Sequence, residues 1–394
     1  MEAPLVVAST RCSRVRNAPW CKIIPIVLVV SVLSLLVACV FFEQTRLNRR
    51  QALEKLQRDL VQRINNSTVG WKAVYNEHPT FVERITVPSN PDWWLKQNVR
   101  LLSENWRAVS RQHLKDLNRL YIDLPGSFDA RLKWNHCWTV HEIGNQGKCG
   151  NCWATAAAAV ISDRICIHSN GSVQVQISVE ELTACCPFCG GCGGSASLLT
   201  SFIHWKKEGL VSGGGYGSYY GCKPYSISAE CGSPCPFYFY TSQQQPECKT
   251  RCQALYTKPY NLDKFYAKKV YSIRPRSYMY YKHQYPDLFT GDDIDSELAS
   301  ADIESVVKKE LFLNGPIGAC FDAAEDIQHY RSGIYHRFPT ARMMYGHCVK
   351  LIGWGTEANR TFWIAANSWG RMWGENGYFR MYRMPGELVA GIPS

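Results

Sequence analysis

Cysteine constrains this chain more than any other residue. Of 18 cysteines, 15 lie from Cys137 onward, crowded as Cys185, Cys186, Cys189 and Cys192, then Cys222, Cys231, Cys235, Cys248 and Cys252. Such density means a disulfide framework or zinc sites. Zinc centres recruit histidine at short spacing or repeated CxxC pairs. Here no histidine lies between His204 and His283, and Cys185 and Cys186 are adjacent. The expectation is a disulfide-stapled fold made in an oxidising compartment, with no metal.

An apolar run from Ile23 to Phe42 supports that compartment. It follows Arg11, Arg14, Arg16 and Lys22, is long for a signal-peptide core, and is just long enough to span a bilayer. Arg46, Arg49 and Arg50 flank its other end, so charge does not fix an orientation. Residues 1–42 are read as a signal peptide or an uncleaved signal anchor, and residues 23–42 are the candidate membrane anchor. In either case the rest of the chain enters the secretory pathway. The sequons at Asn66, Asn170 and Asn359 then become glycosylation sites. The net charge of +11 raises a nucleic-acid partner, but the basic residues are spread along the chain and no nucleic-acid motif is present.

At 394 residues the chain exceeds one average domain. Residues 43–123 contain no cysteine, carry Trp71, Trp93, Trp94 and Trp106, and show helical spacing at Leu53, Leu56, Leu60, Val61 and Ile64. They read as a separate unit, ended by the break at Leu124-Pro125-Gly126. In residues 124–394 the run after Cys152 is helical and rich in small apolar residues, and Ser178 with Glu181 predicts a capping box. After Gly315-Pro316 come short apolar strands at 349–353, 361–365 and 377–381. A helical half followed by a β half is an α+β layout.

The chemistry concentrates at Gln146-Gly-Lys-Cys-Gly-Asn-Cys152-Trp153, at the start of that helix. A helix N-terminus stabilises a thiolate, and an imidazole beside it completes a nucleophile and proton donor. The candidate imidazole is His347, with Asn367 to orient the ring and Trp369 to shield their bond from water. Gln146, with the Cys152 backbone N–H, is placed to hold an oxyanion.

These blocks resemble the active-site signature of the papain superfamily of cysteine proteases, in the same order. The resemblance is to cathepsin B in particular, through Leu124-Pro-Gly-Ser-Phe-Asp-Ala-Arg131, Ile161-Ser-Asp-Arg-Ile-Cys-Ile167, Gly209-Leu-Val-Ser-Gly-Gly214, Cys222-Lys-Pro-Tyr-Ser-Ile227 and Val389-Ala-Gly-Ile-Pro393. Asn66, Trp71, Ala73 and Asn76 are similar to its short propeptide. The resemblance implies a papain-like two-domain fold, with a helical left domain and a β-barrel-like right domain. It implies a zymogen inhibited by its own propeptide (43–123), protein or peptide substrates, no cofactor, and a lysosomal or secreted location. Peptide bonds would be hydrolysed through a Cys152 thioester. The alternative is a catalytically impaired homologue that acts as a binding protein. The implied bridges are Cys137–Cys166, Cys149–Cys192, Cys185–Cys248, Cys186–Cys189, Cys222–Cys252 and Cys231–Cys235.

Departures from the family shape the expected specificity. Cathepsin B has a histidine pair in an occluding loop, whereas Cys231 to Cys248 contains no histidine. Endopeptidase activity is therefore expected in place of dipeptide removal. By resemblance Cys320 and Cys348 line the S2 pocket, as two buried thiols or as a bridge that narrows it. Gly193 and Gly194 permit close backbone approach to a substrate. The segment 384–388 is shortened, and no residue is assigned to the acid that cathepsin B places at the base of S2, so tolerance of Arg at P2 is expected to be lost. Asn151 and Thr155 are unusual neighbours of Cys152. An insertion occupies about 274–304, basic and tyrosine-rich at its start and acidic at its end.

Overall fold

The computed structural model describes residues 19–76, 106–195, 197–235, 243–274, 303–382 and 385–394, with backbone alone at 19–30, 106–107 and 274. The chain divides into two compact units, Met1–Gln57 and Arg58–Ser394. The described residues of the first, 19–57, are helical and belong to α1 (Pro19–Asn65). Its apolar side chains from Val32 to Phe42 are exposed. Among the described residues no helix is long and apolar enough to cross a membrane. A membrane anchor at 23–42 is therefore not supported.

In the second unit the end of α1 buries Leu60, Val61 and Ile64, and β1 (Trp71–Ala73) follows at once. Asn65 ties the turn together, accepting from the Ala73 N–H at 2.9 Å and donating to its carbonyl at 2.8 Å. After α2 (Trp106–Arg119) come β2 (Phe128–Asp129), α3 (Ala130–Lys133), α4 (Cys152–His168), α5 (Val179–Cys185) and α6 (Leu199–Glu208). The remaining elements are β3 (Ala267–Arg274), α7 (Ile303–Asn314), β4 (Ile317–Ala324), β5 (Tyr330–Tyr335), β6 (Met343–Glu357), β7 (Arg360–Ala366), β8 (Tyr378–Met381) and β9 (Glu387–Pro393). The strands join in the order β1-β5-β8-β7-β6-β4-β9-β3, with β2 also pairing to β6. The insertion expected at about 274–304 connects β3 to α7, and its body lies outside the described residues.

Helix α4 is largely apolar and enclosed by protein, with its buried charges Asp163 and Arg164 paired. Fourteen of its residues are buried, every one from Cys152 to Cys166 except Ala159. Its apolar residues share one core with α6, Cys320, Cys348 and Val389. A second core fills the sheet side, around Ile352, Trp354, Trp363 and Phe379. Residues 58–76 and 106–119 contribute Trp71, Leu114 and Leu117 to that second core. Two buried ion pairs anchor α4, one to the sheet and one to α7. Lys350 on β6 meets Asp163 on α4 at 2.7 Å, and Arg164 on α4 meets Glu310 on α7 at 2.8 Å.

The bridges are Cys137–Cys166, Cys149–Cys192, Cys185–Cys248, Cys186–Cys189, Cys222–Cys252, Cys231–Cys235 and Cys320–Cys348. The first six are the pairs that the resemblance implies. Among the described residues, Cys39 and Cys152 carry no bridge.

Candidate active site

Cys152 opens α4, and its N-cap, Asn151, makes no side-chain bond to the helix. Asn151 instead donates to Thr183 Oγ1 at 2.7 Å and to the Tyr225 hydroxyl at 3.0 Å. The first-turn amides thus keep their partial positive charge for the thiol. The Tyr225 hydroxyl in turn donates to the Gln146 carbonyl at 2.8 Å. Asn151 is therefore a strut between the helix start and the Gln146 loop, which accounts for its place beside Cys152. Thr155 fits against Gly144, where an added Cβ would sit 2.7 Å from the Thr155 methyl. Ser178 accepts from the Glu181 N–H at 3.0 Å, which is half of the expected capping box. The reciprocal arm is absent because the Glu181 carboxylate is taken by Lys223 and by Lys264.

His347 lies on β6, opposite Phe321 of β4. Its Nε2 is 2.8 Å from Asn367 Oδ1. That oxygen also accepts from the Ser368 N–H at 2.8 Å, so it is the carbonyl end of the amide. Nε2 must then carry the proton, and Nδ1 keeps its lone pair. Trp369 stacks on the imidazole with centroids 4.7 Å apart, and Phe321 and Tyr345 stand edge-on at 5.9 Å and 6.3 Å. This enclosure pushes the His347 pKa down to about 4, against the upward pull of Asn367. Burial also raises the Tyr345 phenol, and the charge of Cys152 adds to that rise. Cys152 shares its core cluster with Cys348, the residue after His347 on β6.

Gln146 is 2% exposed, with its backbone N–H donating to the Ser368 carbonyl at 2.9 Å. Its Oε1 accepts from Ser368 Oγ at 2.7 Å and its Nε2 donates to the Cys149 carbonyl at 2.9 Å. A primary amide carries two N–H donors, so one remains for an anion beside the helix start. The loops of Gln146 and Asn367 are also stitched by Gly370 N–H to the Gly144 carbonyl at 3.1 Å. Thiol, imidazole, carboxamide and amide donor are thus gathered from α4, β6, the turn after β7 and the loop before α4. Such a set can attack a carbonyl, hold the resulting oxyanion and move a proton.

Gly193 and Gly194 border open space, since a Cβ at either would meet nothing within 4 Å. Cys320 and Cys348 are directly opposed on β4 and β6 and are bridged. The shortened segment holds a residue that sequence reading missed. Glu387, 2% exposed, stands opposite Cys320 on β9. It accepts from Ser197 Oγ at 2.5 Å and from the Leu198 N–H at 3.1 Å. The sequence signal was its position directly before Leu388-Val-Ala-Gly391, obscured by the altered length upstream. The sequons at Asn66, Asn170 and Asn359 are all exposed.

Residues 124–390 match the model of the papain family cysteine protease. The chain is 34% identical over 352 residues to cathepsin B-like cysteine proteinase 3 of Caenorhabditis elegans, covering 85% of this chain and 82% of that protein. It is 32% identical over 368 residues to a cathepsin B-like cysteine proteinase of Schistosoma japonicum, covering 88% and 93%. Among solved structures, proCathepsin B S9 from Trypanosoma congolense aligns with a TM-score of 0.59 at 27% identity, covering 85% of this chain and 98% of that one. The chain belongs to the papain family of cysteine proteases and groups with its cathepsin B-like members.

Proposed function

We propose that this chain is the zymogen of a cysteine endopeptidase that hydrolyses peptide bonds through a thioester at Cys152. The observation that carries the reading is the His347–Asn367 bond under Trp369, on the strand that meets the Cys152 helix start. Cys152 Sγ gives up its proton to His347 Nδ1 and attacks the substrate carbonyl carbon. The oxyanion takes hydrogen bonds from the Cys152 N–H and the second Gln146 amide proton. Collapse expels the amine, which leaves with the proton from His347. Water then attacks the thioester and restores the thiol.

Residues 43–123 are the propeptide in this reading, with Leu124-Pro125-Gly126 as the processing point. Its support is the packing of 58–76 and 106–119 against the peptidase. β1 adds to β5, the Asn76 N–H donates to His329 Nδ1 at 3.2 Å, and Asn76 Nδ2 donates to the Ser233 carbonyl at 3.0 Å. Export into the secretory pathway, with a lysosomal or secreted destination and glycans at the three sequons, completes the proposal. Endopeptidase activity is favoured by the histidine-free stretch from Cys231 to Cys248.

The test is labelling of processed protein by a biotinylated epoxysuccinyl inhibitor, beside Cys152→Ala. Label that vanishes in the variant supports the reading. No label on fully processed wild type overturns it and favours a binding protein on the same scaffold. An internally quenched peptide with a free or an amidated C-terminus then separates the two activities. A strong preference for the free carboxylate would overturn the endopeptidase assignment.

A further inference from the structure

Helix α2 turns one face to the protein. Ser110, Leu114 and Leu117 are buried at spacings of four and three, with His113 beside them, while Gln112, Asp116, Asn118 and Arg119 are exposed. A helix of 14 residues is marginal by itself in water, so tertiary packing holds this one. It packs on β3 and α7. Neither element carries Cys152, His347, Asn367 or Gln146.

Each contact answers a need of the peptidase. β3 ends the sheet, with no further strand on its outer side among the described residues. The Ser272 N–H on that edge donates to Ser110 Oγ at 2.9 Å. An edge strand left bare is a template for pairing with other chains, and α2 covers it. Leu114 and Leu117 join the core that holds Tyr271, Val307 and Leu311. Lys309 on α7 donates to the Leu117 and Asn118 carbonyls at 3.3 Å and 3.4 Å, at the helix end that favours a cation.

His113 makes the deepest link. Its ring centroid is 3.7 Å from that of Tyr271, and Lys269 donates to its Nδ1 at 3.2 Å. Nε2 therefore carries the proton and donates to Glu310 Oε2 at 2.8 Å. The Glu310 carboxylate is fully buried. Arg164 and the Tyr271 hydroxyl serve one of its oxygens, and Asn314 and His113 the other. Departure of α2 would strip a donor from a buried carboxylate.

The connection from α2 to β2 has the opposite character. Residues 120, 121, 123 and 125–127 are exposed, Tyr121 at 98%. Hydrolysis of a bond there adds one water and leaves a carboxylate and an ammonium, and it touches none of the groups that hold α2.

We propose that α2 is a lasting part of the mature enzyme, held noncovalently on β3 and α7 after the chain is cut within 120–127. The proposal rests on the zymogen reading above. Residues 58–76 leave and α2 stays, so the working enzyme has two chains.

The experiment activates the full chain, treats it with the biotinylated epoxysuccinyl inhibitor, and compares native with denaturing mass spectrometry after size exclusion. The expected native species contains the peptidase, the inhibitor on Cys152 and one peptide that includes residues 106–119. Denaturation should separate it into two chains. Leu117→Ala should weaken retention at least about thirtyfold, so that the peptide is lost on the column. Gln112→Ala, on the outer face, should retain it as wild type does. Labelling of Cys152 in each variant reports that it has folded, and Leu114→Ala replaces Leu117→Ala if the latter does not label. Labelled wild-type peptidase without the peptide overturns the proposal and leaves the protease reading standing. Peptide and inhibitor found only on separate molecules also overturn it, because α2 would then be an inhibitor. So does a mature chain left uncut between α2 and β2. Fully processed enzyme that takes no label sinks the protease reading and the two-chain enzyme with it.

Discussion

Removing the Trp71 side chain should free the 58–76 segment from the sheet. Trp71 is 2% exposed and lies edge-on to Tyr335 at 5.2 Å, with Tyr330 at 6.1 Å. Truncating a buried tryptophan costs about 3–5 kcal/mol, and water can enter at the edge of a sheet, so the lower end applies. A loss of about 3 kcal/mol multiplies an open population roughly a hundredfold. The assay is the rate of epoxysuccinyl labelling of Cys152 in unprocessed full-length protein at neutral pH. That rate follows the open fraction if the segment blocks the cleft. Trp71→Ala should label about a hundredfold faster than wild type, and Trp71→Phe should fall between them. Gly333→Ala approaches the contact from the other strand. Gly333 has φ +98°, and a Cβ there would lie 2.7 Å from Trp71 Cα and 2.6 Å from the Gly70 carbonyl. It should also accelerate labelling. Unchanged rates in both variants, with melting of the peptidase intact, would refute the reasoning.

His204 is 3% exposed, neither ring nitrogen has a hydrogen-bond partner among the described residues, and burial pushes its pKa down to about 4. The unfolded chain then binds more protons below its ordinary value of 6.5, so stability falls as pH drops from there toward about 4, by at most about 3 kcal/mol. His204→Leu should narrow the gap in Tm between pH 7.5 and pH 4.5; an equal gap in both proteins counts against this. Asn367→Ala removes the bond that fixes the His347 tautomer, and kcat should drop roughly tenfold with little change in KM. A change confined to KM would contradict the orienting role. Glu310 is buried with Arg164, Tyr271 and His113, which together hold its pKa below the usual carboxylate range despite burial. Glu310→Gln leaves Arg164 without its counter-charge, at a cost of about 3–5 kcal/mol. Calorimetry should show a Tm lower by roughly 10 °C.

Local signals carried the sequence reading far. A helix of small apolar residues behind Cys152, and strands around residues 349–353, 361–365 and 377–381, are each encoded within a few neighbouring positions. Cross-strand relations are not. Nothing near Trp71 announces that it will face Gly333, some two hundred and sixty residues later in sequence. The row of Cys348, Cys320 and Glu387 is likewise a matter of register, visible only once three strands are aligned. Glu181 shows the same limit from another side. Its local pattern predicts a capping box, but Lys223 and Lys264 arrive from distant loops and take the carboxylate. Charge-assisted bonds to two ammonium groups outweigh one to a backbone amide.

The Lys350–Asp163 pair lies three residues beyond His347 on one strand and eleven beyond Cys152 on one helix. Both groups are buried, and Lys350 also donates to the Thr139 carbonyl at 3.2 Å. The separation of nucleophile and base is therefore set from behind the reacting atoms, by groups that no substrate meets. Loops on the periphery are released from that duty. An insertion between β3 and α7 can lengthen, shorten or change its charge across generations while the spacing on which turnover depends is inherited unchanged.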